Sequence, residues 1–531
     1  MKKITLPLII AISIIIGILL GNFYATRQNN SFTYSICQSA NGNKISEVLN
    51  IVNNLYVDSI SMDSLVETAL PLIITQLDPH SSYIPASELT AVNEELSGSF
   101  GGIGVQFNLQ NDTIYIINVI AGGPSAKAGI LAGDKIVSVN DSVFVGKKIN
   151  NELVMRTLKG NKGSSVKIGI IRQNNPKQIF FNITRGDIPV KSVDIAYMIT
   201  PKIGYISVNK FGGTTAHEFQ NSVAKLLHNG AKSMIIDLRG NAGGYLDAAQ
   251  YMLNQFLKRG ELIVYMQGEH QPRRDLTADG SGSCQNIGLA VLIDEFSGSA
   301  SEIFAGAIQD NDRGTIIGRR SFGKGLVQQQ VDLYDKSALR LTVARYYTPS
   351  GRCIQKPYKR GDSENYQLDL LIRYKHGEFY SQDSIQQNTS EAFKTRSGRT
   401  VYSGGGIMPD IFVPQDTAAL TRFASEIINR GLTYKFALQY TDNHRVELQQ
   451  IKDWKTMQKK LENENLVEKI VDFARKNDIS SKNDMNAKAA KYIENQTFAY
   501  IIRNILDDDG FFPYYNQNDN CVKKAIEELQ K

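Results

Sequence analysis

Residues 296–306 read FSGSASEIFAG, with Ser297, Ser299 and Ser301 just behind the apolar run LAVLIDE. A serine at the carboxyl end of a strand, ahead of a helix, presents its hydroxyl beside unpaired helix amides, a setting for nucleophilic attack. The same residues also fit a plain helix cap. Ser299 and Glu302 have the Ser-x-x-Glu spacing of a capping box ahead of Ile303, Phe304 and Ile308. A nucleophile further needs a base. The six histidines, His80, His217, His228, His270, His376 and His444, offer none in a Gly-rich or strand-end setting. Lysine is the other choice. In IGRRSFGKGLVQQQ, residues 317–330, Lys324 stands between two glycines and 25 residues after Ser299. That separation leaves room for one helix and one strand to bring the two back together. Alone, such a lysine reads as a turn residue facing solvent. Buried against apolar groups, it would lose its proton more readily and could act as a general base.

A third stretch, DLRGNAGGYLD at 237–247, ends the strand-like MIIDL in a Gly-rich turn. Such a turn can aim backbone amides at an anion. Gly243 or Gly244, with the amide of Ala300, would make an oxyanion hole. A phosphate loop is excluded for want of a Gly-Lys-Ser/Thr ending. Further upstream, GGIGV at 101–105 precedes a strand, and GGPSAKAGILAGDKIVSVND follows at 122–141. Glycines ahead of a strand free amides for a terminal carboxylate, while the strand edge takes a peptide by β-addition.

The elements that must position these residues change in texture along the chain. Residues 43–97 have helical spacing, broken by the two prolines of LDPHSSYIP. Residues 98–186 are short β-type runs separated by Gly and Asn, which predicts a small β-rich domain. From 187 to 415 strands alternate with helices, as expected of βαβ units around a largely buried sheet. Residues 356–403 interrupt that pattern with a polar, Tyr-, Lys- and Gln-rich stretch that reads as a surface excursion. From 416 onward the chain is helical and charged, with a break at DDDGFFPYYNQNDN, and carries no legible chemistry.

Composition sets outer bounds. A chain of 531 residues, 42% hydrophobic and 21% charged, supports several domains and a large core. The net charge of +6, from 59 basic and 53 acidic residues, is spread without a basic stripe, which argues against nucleic acid as a partner. Cys37, Cys284, Cys353 and Cys521 lie far apart without metal-ligand spacing and read as free thiols. Lys2 and Lys3 precede an apolar run of about one bilayer span within residues 1–25, open to reading as a signal peptide or a membrane anchor. The poor small-x-small pattern near Phe23, Tyr24 and Ala25 favours an anchor at residues 5–22, and either reading predicts export of the body.

Taken together, these motifs resemble the C-terminal processing (tail-specific) serine peptidases across most of residues 43–415. SGSASEIFAGAIQD is similar to that family's nucleophile segment and FGKGLVQ to its base segment; LDPHSSYIP, DLRGNAGG, YYTPSGRCIQ and GIMPDIFV also look like family blocks. The resemblance implies Ser299 as nucleophile, Lys324 as base and Gln328 as the residue that orients it, with Asp310 as an added aspartate. It also implies that 98–186 is a PDZ domain whose carboxylate loop is Gly102, Ile103, Gly104 and Val105. The implied fold is a mixed α/β multidomain one. A helical segment at 43–97 and an inserted PDZ domain lead to a βαβ-type protease core at 187–415, with a helical extension at 416–531. The implied activity is a serine endopeptidase that takes exported or membrane proteins by their C-terminal tails. It calls for no metal or organic cofactor, reaches the membrane through the amino-terminal segment, and leaves the helical termini available for self-association. The rival reading is a catalytically silent scaffold of the same fold that binds peptide tails without cutting them.

Overall fold

The computed structural model describes residues 16–17 and 44–531, apart from 111, 121, 173–174, 387–388, 418 and 480–483. The expected anchor at 1–25, but for 16 and 17, and Cys37 lie outside the described residues. Among the described residues no helix is long and apolar enough to cross a membrane. The chain divides into two compact units, Met1–Leu70 and Pro71–Lys531. The first holds the helix Lys44–Leu55, which has no buried residue, and the start of the helix Met62–Ile74.

In the second unit, strands Val193–Met198, Ile203–Val208, Ser233–Asp237, Gly288–Ile293, Thr315–Gly318 and Ile411–Phe412 lie side by side in that order. The first pair is antiparallel and the rest are parallel. Their near-continuous apolar sequences follow from cover on both faces. Ile236, Val291 and Ile316 point to one core, shared with helices Thr215–His228, Leu246–Asn254 and Ala300–Asp310. Their neighbours Ile235, Leu292 and Ile317 point to the other, closed by Cys521, Val522 and Ala525 of the last helix, Asn520–Leu529. The serines and the Gly-rich turn therefore both emerge at the carboxyl ends of parallel strands, where open α/β sheets place their sites.

A second, antiparallel sheet takes strands Ser82–Ile84, Ala338–Tyr347, Leu262–Gly268 and Gln271–Thr277, with Leu326–Asp332 also paired to Ala338–Tyr347. Leu262–Gly268, inside the 187–415 stretch expected to form βαβ units, belongs here and not to the parallel sheet. The stretch at 356–403 is not a surface excursion throughout. Its helix Ser363–Lys375 buries Tyr366 and Arg373 against the core, and Glu378 and Phe379 are buried behind it.

The β-rich domain has the strand order Val105–Gln110, Thr113–Val119, Lys135–Val139, Ser165–Arg172, Asn175–Thr184, which leaves Val105–Gln110 as an edge. Ser99–Gly102 pairs with Gly186–Pro189 and clips its two ends together. The carboxyl-terminal helices run Arg422–Asn429, Leu432–Leu448, Trp454–Glu462, Leu466–Lys476, Ala487–Asn516 and Asn520–Leu529. The expected break at DDDGFFPYYNQNDN is a kink at Asp507, with φ 51° and ψ −151°, after which the chain stays helical to Asn516.

Candidate active site

Three serines crowd the turn after Gly288–Ile293, and hydrogen bonding separates them. Ser297 is fully buried and its Oγ donates to the Leu238 carbonyl at 2.8 Å. Ser301 is fully buried too, and its Oγ donates to the Asn241 carbonyl at 2.7 Å. Both hydroxyls are structural. Ser299 is only half-buried and sits at φ 52°, ψ −112°, outside the regions open to an ordinary side chain. Such a backbone costs on the order of 1–3 kcal/mol and persists where neighbours hold it in place, often at functional sites. Ser299 is also the helix N-cap, so the plain reading of its spacing with Glu302 holds as well.

Glu302 does far more than cap. It is fully buried, and its Oε2 accepts from the amides of Ser299 at 2.9 Å and Lys324 at 2.8 Å. Its Oε1 accepts from the Gly323 amide at 2.7 Å and from the Ser321 hydroxyl. One carboxylate thus ties the serine turn and the lysine loop to the same atoms. Burial pushes its carboxyl up, and the four donors pull back against that. In the sequence it was visible only as the second half of a capping box.

The loop glycines admit chain, not solvent. A Cβ on Gly325 would lie 2.8 Å from the Gln355 amide, and one on Gly323 would lie 3.0 Å from Lys356 Cβ. Lys324 is accordingly half-buried, and its ammonium donates to Gln328 Oε1 at 3.1 Å. Gln328 Nε2 donates in turn to the His80 carbonyl at 2.6 Å. Burial, and next the positive charge of Arg340, hold the lysine pKa below its usual 10.5, while Glu302 and Asp78 oppose the shift. His80, set aside among the histidines of the sequence, lies in the block that carries this carbonyl. Burial and then Lys324 hold its ring down to about 4, so it is neutral at ordinary pH. Asp78 fixes the block: burial raises its carboxyl, but bonds from Ser81, from the His80 amide at 2.8 Å and from Thr342 outweigh that and leave it lowered.

Across from Ser299 runs the turn Gly240–Gly244. Gly243 adopts φ 105°, and a Cβ there would lie 2.8 Å from Ser299 Cβ and 2.9 Å from the Ala300 amide nitrogen. Asn241 is the hub of this turn. Its Nδ2 donates to the Val208 carbonyl at 2.8 Å, its Oδ1 accepts from the Gly243 amide at 2.9 Å, and its carbonyl accepts from the Gly298 amide at 3.0 Å. Gly243 N is engaged by Asn241 Oδ1, whereas the amides of Ala242, Gly244 and Ala300 meet no protein acceptor among the described residues. The site therefore joins a strained serine, a half-buried lysine with a fixed acceptor, and open backbone amides, which suits acyl transfer.

Asp310 does not join them. It ends the helix that Ser299 begins, three turns or about 16 Å away along the axis. Its Oδ1 accepts from Arg352 at 2.8 Å and its Oδ2 from Ser350 Oγ at 2.6 Å, in a fully buried ion pair. In the β-rich domain Gly102 pairs with Gly186, and the buried Ile103 takes the Ser125 amide on its carbonyl at 2.9 Å. Gly104 adopts φ 77°, and Val105 opens the edge strand. That turn, set at the start of an unpaired edge, is the geometry β-addition requires.

Residues 202–364 match the family described as Peptidase family S41, residues 101–183 match the PDZ domain, and residues 423–507 match a family of unknown function. A probable CtpA-like serine protease of Staphylococcus aureus is 34% identical over 334 residues, 62% of this chain and 66% of that protein. One of Staphylococcus haemolyticus is 34% identical over 313 residues, 59% of this chain and 62% of that protein. The chain thus spans slightly less than two thirds of the length of these relatives. Among solved structures, the photosystem II D1 C-terminal processing protease is 25% identical, with 70% of this chain and 92% of that one covered at a TM-score of 0.36.

Proposed function

Because residues 202–364 match peptidase family S41 and residues 101–183, ahead of them, match the PDZ domain, we propose that the chain is a serine endopeptidase working through Ser299 and Lys324. The observation that carries this reading is the shared hold of Glu302 Oε2 on the backbones of nucleophile and base. Neutral Lys324 takes the Ser299 proton as Oγ bonds to the scissile carbonyl carbon. The oxyanion so formed accepts from the amides of Gly244 and Ala300. Lys324 then passes its proton to the departing amine as the C–N bond breaks. A water molecule gives Lys324 a proton while attacking the acyl-enzyme, and release of the acid restores the Ser299 hydroxyl. Gln328 keeps the amine aimed throughout. No step calls for a group from outside the chain other than water.

The PDZ domain takes substrate proteins by their carboxyl termini at Gly102–Val105, with apolar tails preferred. Lys2, Lys3 and the apolar residues 5–22 support export with a retained anchor, and carbonate washing of membranes is the check: a chain released by it is not anchored. For the chemistry, an unstructured protein with an apolar carboxyl terminus is incubated with wild type, Ser299→Ala and Lys324→Ala, and the products are read by mass spectrometry. Loss of cleavage in both variants with tail binding kept is expected. Cleavage surviving in Ser299→Ala refutes the assignment, and tail binding without cleavage by any form favours the scaffold.

A further inference from the structure

The stretch at 356–403 separates two blocks of the peptidase core, and its helix Ser363–Lys375 reaches back to the lysine loop from both sides. Tyr366 projects from this helix. Its hydroxyl lies 2.8 Å from His80 Nε2, and the two rings meet edge to face with centroids 5.1 Å apart. From His80 the contacts continue: its carbonyl accepts from Gln328 Nε2 at 2.6 Å, and Gln328 Oε1 accepts from Lys324 Nζ at 3.1 Å. A second arm reaches the loop through Gln355. Its Nε2 donates to the Tyr366 hydroxyl at 3.3 Å, and its Oε1 accepts from the Gly325 amide at 2.9 Å. Gln355 thus holds the Tyr366 oxygen at the position from which it bonds to His80 Nε2, the ring's tautomer deciding which of the two donates.

The helix is itself fastened. Arg373 donates to the carbonyls of Ser321 at 3.1 Å and Arg320 at 2.8 Å, and Lys356 pairs with Asp369 at 2.8 Å while lying 4.2 Å from the Tyr366 ring centroid. All of these contacts converge on the few residues around Lys324.

We propose that Tyr366 is a positioning residue for the general base: through His80 and Gln328 it sets the direction in which Lys324 presents its amine. The inference rests on the Ser299–Lys324 reading. Two properties make it more than packing. The chain of contacts ends on the reacting nitrogen, and Gln328 Oε1 favours the charged form of Lys324, so loosening Gln328 destabilises the ammonium. Arg340, Glu302 and Asp78 also act on Lys324 electrostatically, and none of them bonds to the Tyr366 hydroxyl.

The test uses the full chain in detergent. Tyr366→Phe keeps the ring and removes the hydroxyl; Tyr358→Phe, whose ring packs edge-on to Tyr366 at 6.4 Å, controls for packing. Two readouts are taken: kcat and KM for peptide cleavage, and the pH dependence of trace acetylation of Lys324 by acetic anhydride, quantified by mass spectrometry. The second needs no turnover. For Tyr366→Phe, kcat falls about tenfold at unchanged KM, the worth of one well-placed hydrogen bond, and the Lys324 labelling midpoint moves to lower pH. Tyr358→Phe changes neither. An unmoved labelling midpoint in Tyr366→Phe overturns the proposal, as does an equal shift in Tyr358→Phe. Lys324→Ala cutting as fast as wild type would instead remove the reading beneath it.

Discussion

Glu302 gathers four donors on two oxygens, and each oxygen faces at least one backbone N–H that cannot turn round. Glu302→Gln must therefore set an NH2 against an N–H at one end or the other. The expected result is a loss of about 2–4 kcal/mol in stability and about a hundredfold in kcat, because the serine turn and lysine loop lose their common anchor. Thermal unfolding and steady-state rates measure the two separately. Lys324 gives a second expectation. The base must be neutral, so kcat/KM rises with pH through the lysine pKa, and burial places that limb below the ordinary lysine value. Arg340 adds to the lowering by repelling the ammonium. Arg340→Gln removes that repulsion, so the limb moves to higher pH and the rate at neutral pH falls; a pH–rate profile that stays in place would count against Lys324 as the titrating base.

At the scale of elements, the helix Ala300–Asp310 has the proposed nucleophile at one end and a buried ion pair at the other. Asp310 and Arg352 are both almost wholly out of solvent, so Asp310→Asn leaves a buried guanidinium short of its counter-charge. We expect about 3 kcal/mol of lost stability and an unchanged kcat for the enzyme that remains folded; a selective fall in kcat would return Asp310 to the chemistry. The same helix shows what the sequence can disclose. Ser299 and Lys324 are legible because small residues around each mark a close approach, and the parallel strands because burial on two faces leaves unbroken apolar runs. Asn241 hid inside a turn read for its glycines, and Glu302 behind a local capping pattern. His80 and Tyr366 are 286 positions apart and meet only through the fold, so no local spacing could announce them. The stretch around Tyr366 looked like surface for the same reason: polar residues predict exposure unless their partners are known.

The whole second unit of the chain is where the carboxyl-terminal tail acquires a role that its charge pattern conceals. Its last helix places Cys521, Val522 and Ala525 over Ile235, Leu292 and Ile317, the face of the parallel sheet opposite the helix Ala300–Asp310. Just ahead of that helix, Asp519 accepts from Arg239 at 2.8 Å, and Arg239 also pairs with Asp237 at 2.6 Å, directly before the turn Gly240–Gly244. Asn516 donates to the Tyr197 hydroxyl at 3.0 Å on the first strand of the sheet. The tail therefore completes the core around the parallel sheet, since a sheet built of unbroken apolar strands cannot leave one face to water. A chain ending at residue 516 would uncover Ile235, Leu292 and Ile317, each worth about 1.5–3 kcal/mol when buried. It would also leave Arg239 with one carboxylate instead of two. Such a chain should bind a hydrophobic dye, lose its cooperative unfolding transition and lose peptide cleavage together. A tail that serves only to dock a partner predicts the opposite, an unchanged melting temperature and undiminished cleavage by the shortened chain. Asp519→Asn is the finer test. It keeps the apolar cover and weakens only the Arg239 pairing, so it should leave the sheet folded and lower kcat through the turn that offers Gly244.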